Sequence, residues 1–371
     1  MKKILVINGS ASPLKCGVGY YGEALVAALA HSAHVEVLTT EGLGQTIPGA
    51  SQVHHIANWK ISRLGAITSL IKSAKPDIVH IQYPAVGYKR ELGINLLPLW
   101  LRLSSRKLPV IVTLHEYYGS VLLGKIRDLI TVFAAHKVIV SNEYDRDALP
   151  RLIRRKTVIV PIGHNFKRAP KNRAAYESFM QQAGLSPNEP TIAYFGFVNA
   201  SKGVDVLVQA ASQIKAQVLI LADLNPSDPY QQKIRSLVEA ANQQGAHIYV
   251  AGFLENTILS QVLQECLLFV LAQPLPLTAK TSTAISAVEH GLVLVSTAAR
   301  QPRYNFPYIN DKNAALLSRA TESEIARVCN ELLVNPQKAN QLRNNPELLN
   351  YFAWETIAQK HIELYDAIAT S

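Results

Sequence analysis

Four stretches of this chain put chemically useful side chains where a backbone turn could aim them. The first runs from Phe195 through Gly196 to Lys202, Gly203 and Asp205. A glycine permits a close turn, and a lysine at the next helix start can neutralise a diphosphate as a point charge. An exposed loop lysine is the plainer reading of Lys202. The second is Lys280-Thr281-Ser282-Thr283, opening a helix. N-capping needs only one such hydroxyl. Three in a row beside a lysine favour an anion held by N–H groups, hydroxyls and the helix dipole together. The third, Gly17-Val18-Gly19, follows a first strand, where small residues let backbone N–H groups approach a ligand. With Gly22 it formally matches G-x-G-x-x-G. A dinucleotide site would also need a carboxylate ending the second strand, and Glu41 stands just past that point. Nothing else suggests hydride transfer. The fourth is His115, at the carboxyl end of a buried strand, the edge at which open α/β sheets bind ligands. A structural histidine is the competing reading.

A fifth stretch, Asp145-Arg146-Asp147, is formally a metal-binding D-x-D. It opens a helix, where carboxylates stabilise the dipole. We therefore expect no metal. The three cysteines, Cys16, Cys266 and Cys329, are far apart and form no Cys-x-x-Cys pair, so neither a disulfide framework nor a zinc site is expected.

The elements that must position these residues follow a repeating pattern. Short β-branched runs at 3–7, 35–38, 78–82, 110–114, 138–140 and 157–160 read as buried parallel strands. Helical segments such as 21–30 and 61–74 separate them. Residues 164–190 read as a linker and lead-in helix. A second series follows at 191–195, 217–222, 247–251, 267–271 and 293–296. The pattern predicts an α/β chain of two Rossmann-like, doubly wound parallel-sheet domains facing across a cleft. Residues 350–368 read as one amphipathic helix that packs on something already built.

Composition agrees with a globular enzyme. The chain has 371 residues, 48% hydrophobic and 17% charged, which suits two domains rather than one. The start MKKILVINGS reads as a buried strand, because its apolar run is too short for a signal peptide. No stretch reaches the roughly 20 apolar residues of a bilayer span. The net charge is +10, and residues 1–165 hold 20 Lys and Arg against 10 Asp and Glu, whereas residues 166–371 hold 17 of each. The excess is concentrated at Arg102, Arg106 and Lys107 and at Arg151, Arg154, Arg155 and Lys156. A one-sided basic surface attracts phosphates or an anionic membrane; solvated helix ends are the plainer reading. Without aromatic stacking motifs, nucleic acid is not expected as a partner.

In order and spacing these motifs resemble the retaining glycosyltransferases of the GT-B fold, family 4 type, as found in bacterial polysaccharide biosynthesis. The resemblance spans nearly the whole chain: the 17–19 glycines, PDIVHIQYP at 76–84, VTLHEYY at 112–118, VIVSNEYDRDAL at 138–149, VIVPIGHNF at 158–166, the Lys202-Gly203 loop, SAVEHGLVLVST at 286–297, and the terminal Phe352-Ala353-Trp354-Glu355. It implies that His115 contacts the donor sugar, Lys202 the diphosphate, and Phe253 and Leu254 the base through their backbone. Two departures stand out. The family's arginine falls on Phe197, and its Glu-x7-Glu pair falls on Thr278 and Ser286. Lys280–Thr283 resembles a hydroxyl-rich variant of that region, and Glu289, one turn after Ser286, could hold the ribose.

The resemblance implies an acceptor-side domain at 1–166 plus 352–371 and a donor-binding domain at 167–351. The expected activity is transfer of a hexose, glucose from UDP-glucose, to a growing polysaccharide or lipid-linked glycan. Anomeric configuration is retained, with no cofactor and no metal. The donor site would comprise Gly17, Gly19, Gly196, Lys202, Phe253, Leu254, Lys280, Thr281, Ser282, Thr283 and Glu289, with His115 catalytic. A cytoplasmic location is expected, with peripheral contact between the basic N-terminal domain and an anionic membrane. The alternatives are a nucleotide-sugar 2-epimerase of the same fold, which needs acids for proton transfer, and a non-catalytic nucleotide-sugar-binding relative.

Overall fold

The structure, a computed structural model, describes residues 1–164, 166–343 and 345–369. Asn165 of the 158–166 motif therefore lies outside the described residues. The chain divides into two compact units, Met1–Gly163 with Phe352–Ser371, and His164–Tyr351.

The first unit holds seven strands: β1 (Lys3–Asn8), β2 (His34–Thr40), β3 (Gln52–Ile56), β4 (Ile78–Tyr83), β5 (Val110–Leu114), β6 (Lys137–Val140) and β7 (Thr157–Ile159). Their order is β3-β2-β1-β4-β5-β6-β7, with every pairing parallel. Successive side chains of a strand point to opposite faces. Leu5 and Ile7 accordingly join one core with Val79, Ile81, Val112 and Leu114. Ile4 and Val6 join another with Val35, Val37, Ile78 and Ile111. Helices cover both faces, so the central strands read as unbroken apolar runs.

The second unit holds six more strands: β8 (Thr191–Phe195), β9 (Gln217–Leu221), β10 (Ile248–Val250), β11 (Leu268–Leu271), β12 (Val293–Thr297) and β13 (Ala315–Leu317). Their order is β10-β9-β8-β11-β12-β13, again all parallel. Both sheets reverse direction of build at their first strand, the switch point where such folds bind ligands. This is the two-domain α/β architecture of the GT-B fold.

Three local expectations are corrected. β3 was not read as a strand, because His54 and His55 interrupt its apolar run. Those imidazoles find local partners instead, Glu36 at 2.8 Å and the Leu43 carbonyl at 2.9 Å. β13 was too short to read. The C-terminal segment is two helices, Pro346–Phe352 and Trp354–Ala369, interrupted at Ala353. The second of these lies on the first sheet, with Ile357 and Tyr365 in the core of Ile4 and Val6. All three cysteines are buried and unpaired.

Candidate functional site

The second unit brings four of its expected site residues together. The chain leaves β8 at Gly196 with φ +125, and an added Cβ there would stand 2.9 Å from the Thr283 methyl. The Gly196 turn therefore lies directly against the start of the Ser282–Glu289 helix. Further on, the side chain of Asn199 accepts the Ser201 N–H and opens a single turn, Ala200–Lys202. Gly203 follows with φ +65, and a Cβ on it would sit 1.8 Å from the Ala272 carbonyl just past β11. Only glycine fits, and it presses Lys202 against the carboxyl edge of the sheet. Lys202 is half-buried, and burial, then the charge of Lys280, holds its ammonium below the usual lysine range. The two lysines thus share one neighbourhood. Lys202 forms no ion pair among the described residues, so an anion placed there would relieve both burial and repulsion.

Thr281 makes no side-chain cap at the Ser282–Glu289 helix. Simple N-capping therefore does not account for the hydroxyls of Thr281, Ser282 and Thr283, which are half-buried. Glu289 ends the same helix, roughly 10 Å along its axis from Ser282 at 1.5 Å per residue. The family's glutamate positions, Thr278 and Ser286, are buried, and Phe197 is 87% exposed. Phe253 and Leu254 follow the edge strand β10, two positions from β8. The Phe253 N–H donates to Asp223 Oδ1 at 2.8 Å. Any base contact by this segment falls to its other backbone groups.

In the first unit, His115 follows β5, and its N–H donates to the Tyr83 carbonyl at 2.8 Å. Its ring meets the edge of Tyr21 with centroids 4.8 Å apart. Its Nε2 bonds Gln82 Oε1 at 3.0 Å, and Gln82 Nε2 lies 3.2 Å from His80 Nε2. His80 also bonds Thr113 Oγ1 and, through Nδ1, the Tyr365 hydroxyl, each at 2.7 Å. Burial, then the charges of His361 and His115, holds His80 well below the usual histidine range, so it is neutral. If the Gln82 amide N–H donates to His80 Nε2, then Gln82 Oε1 accepts from His115 Nε2–H and His80 Nδ1–H donates to Tyr365. Gln82, His80, Thr113 and Tyr365 were not singled out from the sequence. The available signal was two polar residues, 80 and 82, on one face of an otherwise apolar strand.

Gly17 and Gly19 lie in the first turn of the Gly17–Leu29 helix rather than in a loop before it. A Cβ on Gly22 would stand 2.1 Å from Asn8 Nδ2, and one on Gly19 3.2 Å from Ser10, whereas Gly17 faces open space. Close helix-to-strand packing thus explains Gly19 and Gly22 but not Gly17. The end of β2, where a dinucleotide site needs its carboxylate, is closed by the buried Trp59, whose indole N–H donates to Thr40 Oγ1 at 2.9 Å. Asp145 is fully buried and accepts the N–H groups of Tyr117 at 3.0 Å and Tyr118 at 2.8 Å. It holds the loop that follows His115. Asp147 instead pairs with Arg146.

The two parallel sheets and their switch points are those of the GT-B fold. Residues 176–348, nearly all of the second unit, match the model of the family described as glycosyl transferases group 1. A curated relative is the alpha-maltose-1-phosphate synthase of Mycolicibacterium smegmatis, 24% identical over 208 residues; the aligned stretch spans 52% of this chain and of that protein. Among solved structures, a glycosyltransferase from Rickettsia africae aligns with TM-score 0.78 and 17% identity over 99% of this chain and 98% of its own. Anabaena HepE in complex with UDP-glucose aligns with TM-score 0.72 and 16% identity, over 99% and 100%.

Proposed function

We propose that this chain transfers a hexose, glucose from UDP-glucose, to a growing polysaccharide or lipid-linked glycan with retention at the anomeric carbon. The observation that carries this reading is the meeting of Gly196, Lys202, Lys280 and Thr283 at one helix start on the carboxyl edge of the second sheet. As the bond from the anomeric carbon to the diphosphate breaks, the sugar gains oxocarbenium character and the leaving group gains charge. Lys202, Lys280 and the N-terminus of the Ser282–Glu289 helix stabilise that leaving charge without a metal. His115 orients the sugar, held in one tautomer by Gln82. The backbone at Phe253 and Leu254 takes the base, and Glu289 the ribose. The helix start at Gly17 leaves room for the donor, whereas Gly19 packs against Ser10. The HepE complex, a relative in fold, holds UDP-glucose, which supports the choice of donor. The basic first unit meets an anionic membrane, where a lipid-linked acceptor resides.

A donor-hydrolysis and transfer screen across UDP, GDP and ADP sugars tests this, run with and without EDTA. Turnover of a UDP-hexose that persists in the chelator is expected. If no nucleotide sugar binds by calorimetry, the reading fails. If activity needs added Mg²⁺ or Mn²⁺, its metal-independent part fails. Inversion of the 2-position of a free nucleotide sugar would move the chain to the epimerases.

A further inference from the structure

The Leu122–Phe133 helix is built the wrong way round for a helix on a water-facing surface. Leu122, Leu123, Ile126, Ile130 and Phe133 fall on one stripe at helical spacing and point outward, at 76, 75, 47, 39 and 61% exposed. Val121, just before the helix, is 76% exposed. The inward face buries two polar residues, Asp128 and Thr131, beside Val132. Asn95 Nδ2 of the neighbouring helix donates to Thr131 Oγ1 at 2.7 Å, and Arg127 donates to Asn95 Oδ1 at 3.2 Å. Surface helices normally do the opposite, and a contiguous exposed apolar stripe marks an interaction surface.

The neighbouring Gly93–Ser104 helix covers the same face of the first sheet, since its Leu97 and Leu101 share a core cluster with Val132. It adds Leu99, Trp100 and Leu103, at 38, 43 and 67% exposed. The exposed charges on these two helices have one sign. Arg102, Lys125 and Arg127 lie on the two helices, whose single acidic residue, Asp128, is buried. Arg90 is tied to Arg127 through its carbonyl, and the Lys156 ammonium binds the Phe133 and Ala135 carbonyls at the far end of the stripe.

We propose that the Leu122–Phe133 helix, with Trp100 beside it, inserts its outward stripe into the headgroup region of an anionic bilayer while the basic rim holds lipid headgroups. An apolar stripe on two helices whose exposed charges are all cationic fits that surface. Two copies of the face would bring like charges together, which disfavours self-association. The inference rests on the reading of the first unit as the membrane-side half. It goes beyond charge attraction by naming the inserting element, and it does not depend on the donor chemistry.

Co-sedimentation with vesicles tests it, using phosphatidylcholine alone and an equal mixture with phosphatidylglycerol. The full chain should bind the mixed vesicles, more weakly as salt rises, with a blue-shifted tryptophan emission that disappears in Trp100→Phe. The triple variant Leu122→Ser, Leu123→Ser, Ile126→Ser should bind at least about tenfold more weakly and keep its circular dichroism and its donor hydrolysis in solution. If this variant binds like the parent while Arg102→Ser, Arg106→Ser, Lys107→Ser does not, the membrane reading stands and the insertion proposal is overturned. If the parent binds neither vesicle, both are overturned. A parent that binds no vesicle but forms a dimer, which the triple variant makes monomeric, assigns the face to a subunit interface.

Discussion

At the scale of single residues, Lys202 and His115 are expected to fail differently when removed. Lys202 is half-buried beside Lys280, and a bound diphosphate would neutralise that neighbourhood. Lys202→Ala should weaken UDP binding at least about tenfold, the ~1.4 kcal/mol of one charge-assisted contact. Calorimetry reads this directly, and unchanged affinity would reject the assignment. Because burial and Lys280 lower the Lys202 pKa, its charge is lost earlier than an ordinary lysine's as pH rises. UDP affinity should therefore fall on the alkaline side in the parent, and less so in Lys202→Ala. His115 sits in the other unit and should act on turnover instead. His115→Ala should cut kcat and leave UDP affinity nearly intact. Gln82→Leu keeps the imidazole but removes the group that sets its tautomer, so it should lower kcat part of the way. A Gln82→Leu enzyme with parental kcat would show that the bond at 3.0 Å does not position His115.

At the scale of elements, glycines separate turns that packing demands from space left open. Gly203→Ala must place a Cβ 1.8 Å from the Ala272 carbonyl at φ +65. It should destabilise the second unit by about 1–3 kcal/mol for the backbone strain alone, lowering the urea midpoint, and it should displace Lys202 and weaken UDP binding. Gly17→Ala meets nothing within 4 Å. A helix start gains from alanine by at most about 0.5–1 kcal/mol, so stability should hold or rise. A drop in UDP affinity in this variant would place the ligand at that helix start, whereas parental affinity would remove Gly17 from the donor site. Much of the element pattern was legible because central parallel strands are apolar on both faces. β3 escaped because an edge strand lacks that signature and its two histidines bond locally. The break at Ala353 was hidden because amphipathic periodicity continues on both sides of it.

At the scale of the whole molecule, buried imidazoles set the response to acid. Burial holds His290 and His361 at about 4, and His80 well below its usual value. A histidine with a lowered folded pKa stays neutral in the fold while the unfolded chain takes up a proton near 6.5. Its contribution is therefore intact above pH about 6.5 and is lost progressively as pH falls toward 4. Asp128 works the other way, because burial raises it to about 6 and the fold holds its proton where the unfolded chain does not. With His136, also lowered by burial, four histidines against one aspartate leave a net loss. The melting temperature should fall between pH 7 and 5, and His361→Gln should flatten that slope. Equal slopes in parent and variant would show that His361 is not buried and neutral. Among the described residues, no helix is long and apolar enough to cross a membrane.

The sequence by itself determined the class of fold, because strand and helix periodicity are local and repeat in two series. It also determined the motifs around Lys202, Lys280 and His115, because each is a few residues read in one stretch. It separated the charge, since +10 lies wholly in residues 1–165. Only the tertiary structure decided which motifs meet. Lys202 and Lys280 are far apart in the chain, and β8 and β11 become neighbours only through the crossover connections of a parallel sheet. The bonds from His115 through Gln82 and His80 to Tyr365 span |i−j| = 285 at their longest step, which no local pattern could signal. The outward turn of the Leu122–Phe133 helix was equally hidden. Its periodicity is that of any amphipathic helix, and only the packing shows that Thr131 bonds Asn95 on the inner side while the longer apolar stripe faces outward.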